Sequence, residues 1–131
     1  MSRKRWLLVL FVALAAGSVL LFVALKHDKT DQLFVAAKRG DTAAIKRLIA
    51  DGIDINAQTE LGPGSESGYT ALHFAVVAGK ADAVDLLIAL GANIHIKAQG
   101  DRTLLLALVE SGPAGQEAMI QKLTQLPQLF L

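Results

Sequence analysis

Three groups of residues have side chains able to support chemistry. His73 is a candidate general acid or base, because an imidazole titrates near neutral pH. Asp51 and Asp54 are two neighbouring carboxylates, and residues 62–68 form a glycine-rich stretch of the kind that can bind phosphate. These groups are the candidates for catalysis.

None of the three has the companions that its chemistry requires. No nucleophile, orienting carboxylate or metal ligand is spaced to join His73. Asp51 and Asp54 flank Gly52 in a predicted turn, where short acidic side chains commonly accept hydrogen bonds from backbone N–H groups. The glycine-rich stretch lacks the Lys-Ser/Thr ending and the preceding strand of a phosphate-binding loop. We therefore expect no catalytic residues and no enzymatic activity.

Composition excludes further classes of function. The chain has no Cys, which excludes disulfides, cysteine zinc sites and Cys nucleophiles, and neither His27 nor His95 has a second His three or four positions away. The net charge is only +1, and the basic tail, residues 1–5, accounts for the excess of positive charge. A concentrated basic face for nucleic acid is therefore not expected. We predict no metal, no cofactor, no nucleic acid and no small-molecule substrate.

Residues 6–25 form an uncharged apolar run of 20 residues. As a helix this run spans roughly 30 Å, the thickness of the hydrocarbon core of a bilayer. It predicts a transmembrane helix that acts as a signal anchor. A cleaved signal peptide, with Ala13-Leu14-Ala15 as the cleavage site, is the alternative and would give a secreted protein. The run is longer than a usual signal-peptide core, which favours an uncleaved anchor.

The orientation of this helix depends on the basic residues at its two ends. The basic tail precedes it, and Lys26 and Lys29 follow it, so the positive-inside count is nearly balanced. A short basic N-terminus usually stays in the cytoplasm, which places residues 26–131 on the non-cytoplasmic side, periplasmic or extracytoplasmic. The cytoplasm-facing orientation stays open.

The remainder of the chain has an internal repeat. After a polar linker at residues 26–30, three units are predicted at about 31–60, 67–99 and 100–131, each with two short helical patterns. The first and second units share a pattern of Leu, Ala and Gly at an offset of 39 residues, as with Gly40 and Gly79. Residues 60–67 have loop composition and hold the additional length between them; we call them the enlarged loop.

The middle unit resembles one ankyrin repeat. The matching residues are Thr70-Ala71-Leu72-His73-Phe74-Ala75, Ala78-Gly79-Lys80 and Leu86-Leu87-Ile88-Ala89-Leu90-Gly91-Ala92-Asn93-Ile94, with Ala71 where the family usually has Pro. The third unit keeps Thr103 but carries Pro113 and additional residues, as expected of a capping repeat. The resemblance implies an all-α ankyrin-repeat solenoid of helix-turn-helix units joined by hairpin loops, here behind one N-terminal transmembrane helix.

The resemblance also implies roles for individual residues. His73 fixes its turn by hydrogen bonding with Thr70 and backbone groups, and the structural motif comprises Thr70, Leu72, His73, Ala75, Gly79 and Gly91. Stacked units share one apolar core, predicted at Leu33, Ala36, Ile45, Leu48, Ile49, Leu72, Ala75, Val84, Leu87, Ile88, Leu105, Leu108, Ile120 and Leu123.

Partners of the family bind to hairpin tips and to the outward-facing ends of the first helices, which line a concave groove. The corresponding positions are Lys38, Arg39, Glu66, Ser67, Tyr69, Val77, Ala78, Lys97 and Arg102, with Gln99, Glu110 and Ser111 beside them. Tyr69 and Arg102 are the strongest candidates, because aromatic and Arg side chains often carry binding energy.

The predicted function is therefore a membrane-anchored ankyrin-repeat protein that mediates protein–protein interaction, as a binding, inhibitory or scaffold protein. The alternative is a small subunit of a membrane complex that acts through its hydrophobic helix. Small residues at positions 13–18 would allow such a helix to pack closely against another.

Overall fold

The computed structural model describes residues 3–110, 112 and 116–126, which form six helices. In chain order these are α1 (Arg3–Arg39), α2 (Thr42–Ala50), α3 (Ala71–Val77), α4 (Ala81–Ala89), α5 (Leu104–Glu110) and α6 (Gln116–Thr124). Predictions for residues 1–2, Ser111, Pro113 and the apolar C-terminus at 127–131 fall outside the described residues.

Helix α1 is 37 residues long and continuous. It begins in the basic tail, includes the whole apolar run and continues into the first unit. Residues 26–30, predicted as a polar linker, are therefore helical, because they contain neither Gly nor Pro to end the helix. By length and apolarity α1 is able to cross a membrane, a property that core helices and signal sequences also have, and the side chains of its apolar run are exposed.

The first helix of each of the first two units ends in the same turn. Gly40 and Gly79 follow α1 and α3 with φ values of 73° and 71°, a left-handed conformation that favours glycine. In both turns the glycine N–H donates to the residue three positions earlier, and the next N–H donates to the residue five positions earlier. The chain then reverses into α2 and α4.

The helices form two rows that enclose one core. Helices α1, α3 and α5 are successive neighbours in the inner row, and α2 packs against α4 in the outer row. The small side chains of Ala36, Ala37 and Ala75 are buried and allow the helices to approach closely. Of the predicted core, Ile49, Ile88, Leu105 and Ile120 are half-buried and the others are fully buried, together with residues not predicted as core, among them Phe34, Phe74, Val76, Leu104, Ala107 and Met119.

Hairpin loops connect the units: the first, residues 51–70, joins α2 to α3, and the second, residues 90–103, joins α4 to α5. Within the described residues, strand-type pairing is limited to two single bridges, Gln58 with Thr70 and Ala98 with Arg102. Successive hairpin turns are also joined directly, because the Asn56 Oδ1 accepts a hydrogen bond of 2.8 Å from the Asn93 N–H. The architecture is all-helical and positions the hairpins and the inner helices around a common surface.

Candidate functional site

His73 lies inside the cap of α3. Its Nδ1 accepts a hydrogen bond of 3.3 Å from the Thr70 N–H and lies 2.9 Å from Thr70 Oγ1, which in turn accepts from the His73 N–H. The side chain is 1% exposed. An imidazole that is buried and bonded in this way holds the start of a helix and has no open side for a substrate.

Burial also determines the charge of His73. The pKa of His73 is lowered from 6.5 to about 4, because burial disfavours the charged imidazole. The backbone of Arg102, at the second hairpin, acts in the opposite direction and is the weaker effect. The ring is therefore neutral at physiological pH.

The enlarged loop has an internal framework in which Ser67 is central. The Ser67 Oγ accepts a hydrogen bond of 2.6 Å from the Gly62 N–H and donates to the Glu60 carbonyl at 3.1 Å. Ser67 is buried. The prediction that Ser67 lies on the partner-binding surface is therefore wrong, because its hydroxyl bonds to other residues of the loop.

Tyr69 departs from its predicted position in the same way. The ring is 5% exposed, stacks on His73 at 5.2 Å between centroids and meets Phe74 edge-on at 5.4 Å. Contacts with His73 and Phe74, both in α3, cover part of the ring. Tyr69 therefore stabilises the base of the loop and is not available as the aromatic contact that we expected.

An ion pair and a hydrogen bond hold the enlarged loop from the two neighbouring units. On one side, Lys38 of α1 lies 2.8 Å from the Glu66 carboxylate and 5.4 Å from the centre of the Phe74 ring. On the other side, the Arg102 Nη1 donates to the Ser65 carbonyl at 2.6 Å. The loop is thus fastened to the first and third units, and all three units contribute to one surface.

Arg102 has a second bond, which connects this surface to α5. Its Nε lies 2.8 Å from the Glu110 carboxylate. Lys97 is exposed on the second hairpin and lies 3.6 Å from Asp101, and Arg39 is exposed at the end of α1. The structure therefore brings Lys38, Glu66, Arg102 and Glu110 into one connected patch, with Lys97 at its hairpin edge.

The remaining predicted contact residues add a small apolar area. Val77 and Ala78, at the end of α3, are half-buried, so part of each side chain faces solvent. Together with the patch, these residues offer charges of both signs and a small apolar area, a composition suited to a protein surface. The role of the Ser65 carbonyl was not predicted, because no sequence pattern reports a backbone contact 37 residues away.

The two candidate carboxylates, Asp51 and Asp54, make contacts that stabilise the structure. The Asp54 Oδ1 accepts from the Asn56 N–H at 2.9 Å within its turn, and Asp51 pairs with Lys29 at 3.6 Å. His95 is exposed on the second hairpin. Among the residues that the structure describes, no three His, Asp or Glu side chains lie close enough to hold a metal ion.

Known proteins with sequences similar to this chain indicate its family. A family model for ankyrin repeats in three copies matches residues 10–125. The chain is 33% identical over 73 residues to a scaffold protein, ILK, of Homo sapiens, a match that covers 56% of this chain and 15% of that protein. It is 35% identical over 76 residues to the 2-5A-dependent ribonuclease of Mus musculus, with 58% of this chain and 10% of that protein covered.

A third similar protein is an ankyrin repeat-containing protein of Schizosaccharomyces pombe. It is 33% identical over 76 residues, which cover 58% of this chain and 34% of that protein. The chain thus spans at most about a third of the curated relatives that it matches. The likeness concerns the repeats.

Proposed function

Because this chain belongs to the ankyrin-repeat family, we propose that it is a membrane-anchored, non-enzymatic binding protein. It recognises another protein through the patch that includes Lys38, Glu66, Arg102 and Glu110, which we call the concave patch. Ankyrin repeats are protein-interaction modules. The role of this chain is that of a binding, inhibitory or scaffold protein.

The main support for the proposal is that the enlarged loop is bonded to both the first and the third unit. Lys38 and Arg102 hold Glu66 and the Ser65 carbonyl in place, so charged groups of the patch are already fixed before a partner arrives. A surface ordered in advance loses less conformational entropy on binding. Such a surface, ordered before binding, is expected of a small protein that recognises a partner.

The environment of His73 supports a role without catalysis. Its ring is buried, neutral and bonded to Thr70, and it stacks on Tyr69, so it serves the helix cap and the loop. The similarity to a segment of a scaffold protein fits a scaffold role, and a partner bound to so short an array would also stabilise it.

The location of the repeats follows from α1 in this proposal. The apolar run spans the membrane, uncleaved, and the repeats lie on the non-cytoplasmic side. A reporter that is active only in the cytoplasm, fused after the last residue, tests the orientation. We expect no reporter signal from cells in which the fusion is present in the membrane fraction. A strong signal would place the repeats in the cytoplasm, and recovery of a shortened protein from the medium would indicate cleavage and secretion.

The binding proposal is tested by crosslinking and affinity purification of the full chain from its native membrane. A variant with Lys38→Ala, Val77→Ala and Lys97→Ala changes the patch, and Lys46→Ala, exposed on α2, is the matched control. We expect one partner to be recovered with the wild type and with the control, and to be lost with the patch variant, provided that circular dichroism shows it to be folded. Equal recovery by all three would contradict the assignment of the patch.

Exchange of residues 6–25 for an unrelated transmembrane helix separates this proposal from the alternative, a complex subunit that acts through its helix. Retained recovery of the partner is expected here. Loss of the partner from a chimaera that still reaches the membrane would favour the alternative.

A further inference from the structure

A cavity of about 340 Å³ lies where α1 passes the first hairpin turn. Phe22, Leu25 and Ile53 provide apolar walls, and Lys29 and Asp51 lie at its rim. Its volume falls in the range of small-molecule sites. None of these residues belongs to the concave patch.

Because α1 is one continuous helix, its rise per residue gives the position of the cavity relative to a bilayer. Phe22 and Leu25 are in the last turns of the apolar run, and Lys29 comes one turn later, about 6 Å farther along the axis. The polar headgroup layer on each side of a bilayer is about 5–7 Å thick. If the apolar run spans the membrane, the walls therefore lie at the edge of the hydrocarbon and the charged rim lies among the headgroups.

The first hairpin turn returns to the same level. Helix α2 runs back along α1 and ends at Ala50, so that Gly52 and Ile53 face the end of the apolar run. Phe22 and Leu25 are exposed apart from this contact. A bilayer thus has access to the cavity from the membrane side.

The rim carries one charge of each sign. The Lys29 Nζ and the Asp51 Oδ2 are 3.6 Å apart and each side chain is about half exposed. A charge-assisted hydrogen bond is usually about 2.7–2.9 Å long, so this pair is loose. A ligand that supplies one anion and one cation in tandem can bond to both groups without leaving either charge unpaired.

We propose that this cavity binds a phosphoethanolamine lipid of the leaflet next to the repeats. The inference rests on the proposed membrane anchoring. The acyl chain lies against Phe22, Leu25 and Ile53, the phosphate accepts hydrogen bonds from Lys29, and the lipid ammonium donates to Asp51. A phosphocholine lipid has the same phosphate, but its quaternary nitrogen has no N–H to donate. The cavity therefore selects between headgroups by the hydrogen bond to Asp51.

The test uses a photoreactive phenylalanine analogue in the full chain, reconstituted in bilayers of equal parts phosphatidylethanolamine and phosphatidylcholine with identical acyl chains. The analogue replaces Phe22 in one protein and Phe11, exposed in the middle of the apolar run, in the other. Adducts are identified by mass spectrometry. We expect phosphatidylethanolamine to exceed phosphatidylcholine about threefold at position 22, the effect of a partly exposed ionic contact, and the two to be equal at position 11.

Two further variants locate the selectivity. Asp51→Leu keeps the approximate size of the side chain and removes its hydrogen-bond acceptors, so the ratio at position 22 should fall to the ratio at position 11. Asp82→Leu, at the start of α4, makes the same change at an exposed carboxylate elsewhere and should leave the threefold ratio unchanged.

The outcomes separate this inference from the proposal on which it rests. No lipid adduct at position 11 would contradict the membrane anchoring itself. Lipid at position 11 with an equal ratio at position 22 would overturn the lipid site and leave the anchoring in place. A protein adduct at position 22, to a second copy or to another chain, would show that the cavity has a different occupant.

Discussion

Protonation of His73 should make the stability of the repeats depend on pH. The pKa is 6.5 in the unfolded chain and about 4 in the folded protein, so the unfolded state binds more protons between these values. The stabilising contribution is therefore fully present above pH 6.5 and is lost progressively as the pH falls towards 4. Linkage gives a loss of about 2 kcal/mol in the free energy of unfolding between pH 7.5 and pH 5.

The assay is thermal unfolding of the full chain in a mild detergent, followed by circular dichroism. For a repeat array of this size the loss corresponds to a decrease of about 10 °C in Tm from pH 7.5 to pH 5. His73→Gln should unfold more easily at pH 7.5, because it loses the stacking of the imidazole on Tyr69, but most of the pH dependence should disappear. His95→Gln, at an exposed position of the second hairpin, is the matched control and should keep the wild-type dependence.

The same change in Tm over this range for His73→Gln as for the wild type would contradict this prediction. A constant wild-type Tm between pH 7.5 and pH 5 would contradict it as well. Either result would mean that the imidazole is not held neutral by burial in the folded protein.

Three more changes probe the hairpins and the enlarged loop. Gly68→Ala should lower the free energy of unfolding by at least about 1 kcal/mol in denaturant titration, because φ is 74° and a Cβ would lie 3.0 Å from the Gln99 N, whereas Gly64→Ala has open space and should be near neutral. Thr70→Val removes the hydroxyl that caps α3 and should cost about 1–2 kcal/mol in the same titration. Arg102→Met loses its hydrogen bond to the loop and should accelerate hydrogen exchange there, by mass spectrometry, while exchange in α4 stays constant.

The repeat pattern could be predicted from sequence because it depends on local residue types. Gly40 and Gly79 mark two turns with the same geometry, and buried Leu33 and Leu72 lie at equivalent places in the inner row. The extent of α1 was predicted less well. Residues 26–30 are polar and were interpreted as a linker, although the lack of a Gly or Pro was the signal that the helix continues.

The surface could be predicted only in part, because contacts between distant segments decide which side chains remain exposed. Tyr69 is of a residue type that is common at binding surfaces, yet its ring is buried against His73 and Phe74. Lys38 and Glu66 were both assigned to the surface, but their pairing across 28 residues depends on the path of that loop. Sequence periodicity carries no information on that path.

Recognition of a partner through the concave patch can be tested by site-specific photocrosslinking in the native membrane. A photoreactive residue is placed at Val77, in the concave patch, and in a second protein at Ala43, exposed on α2. We expect a covalent adduct with one protein of defined mass at position 77 and no such adduct at position 43. An adduct at position 43 together with none at position 77 would contradict recognition through the concave patch.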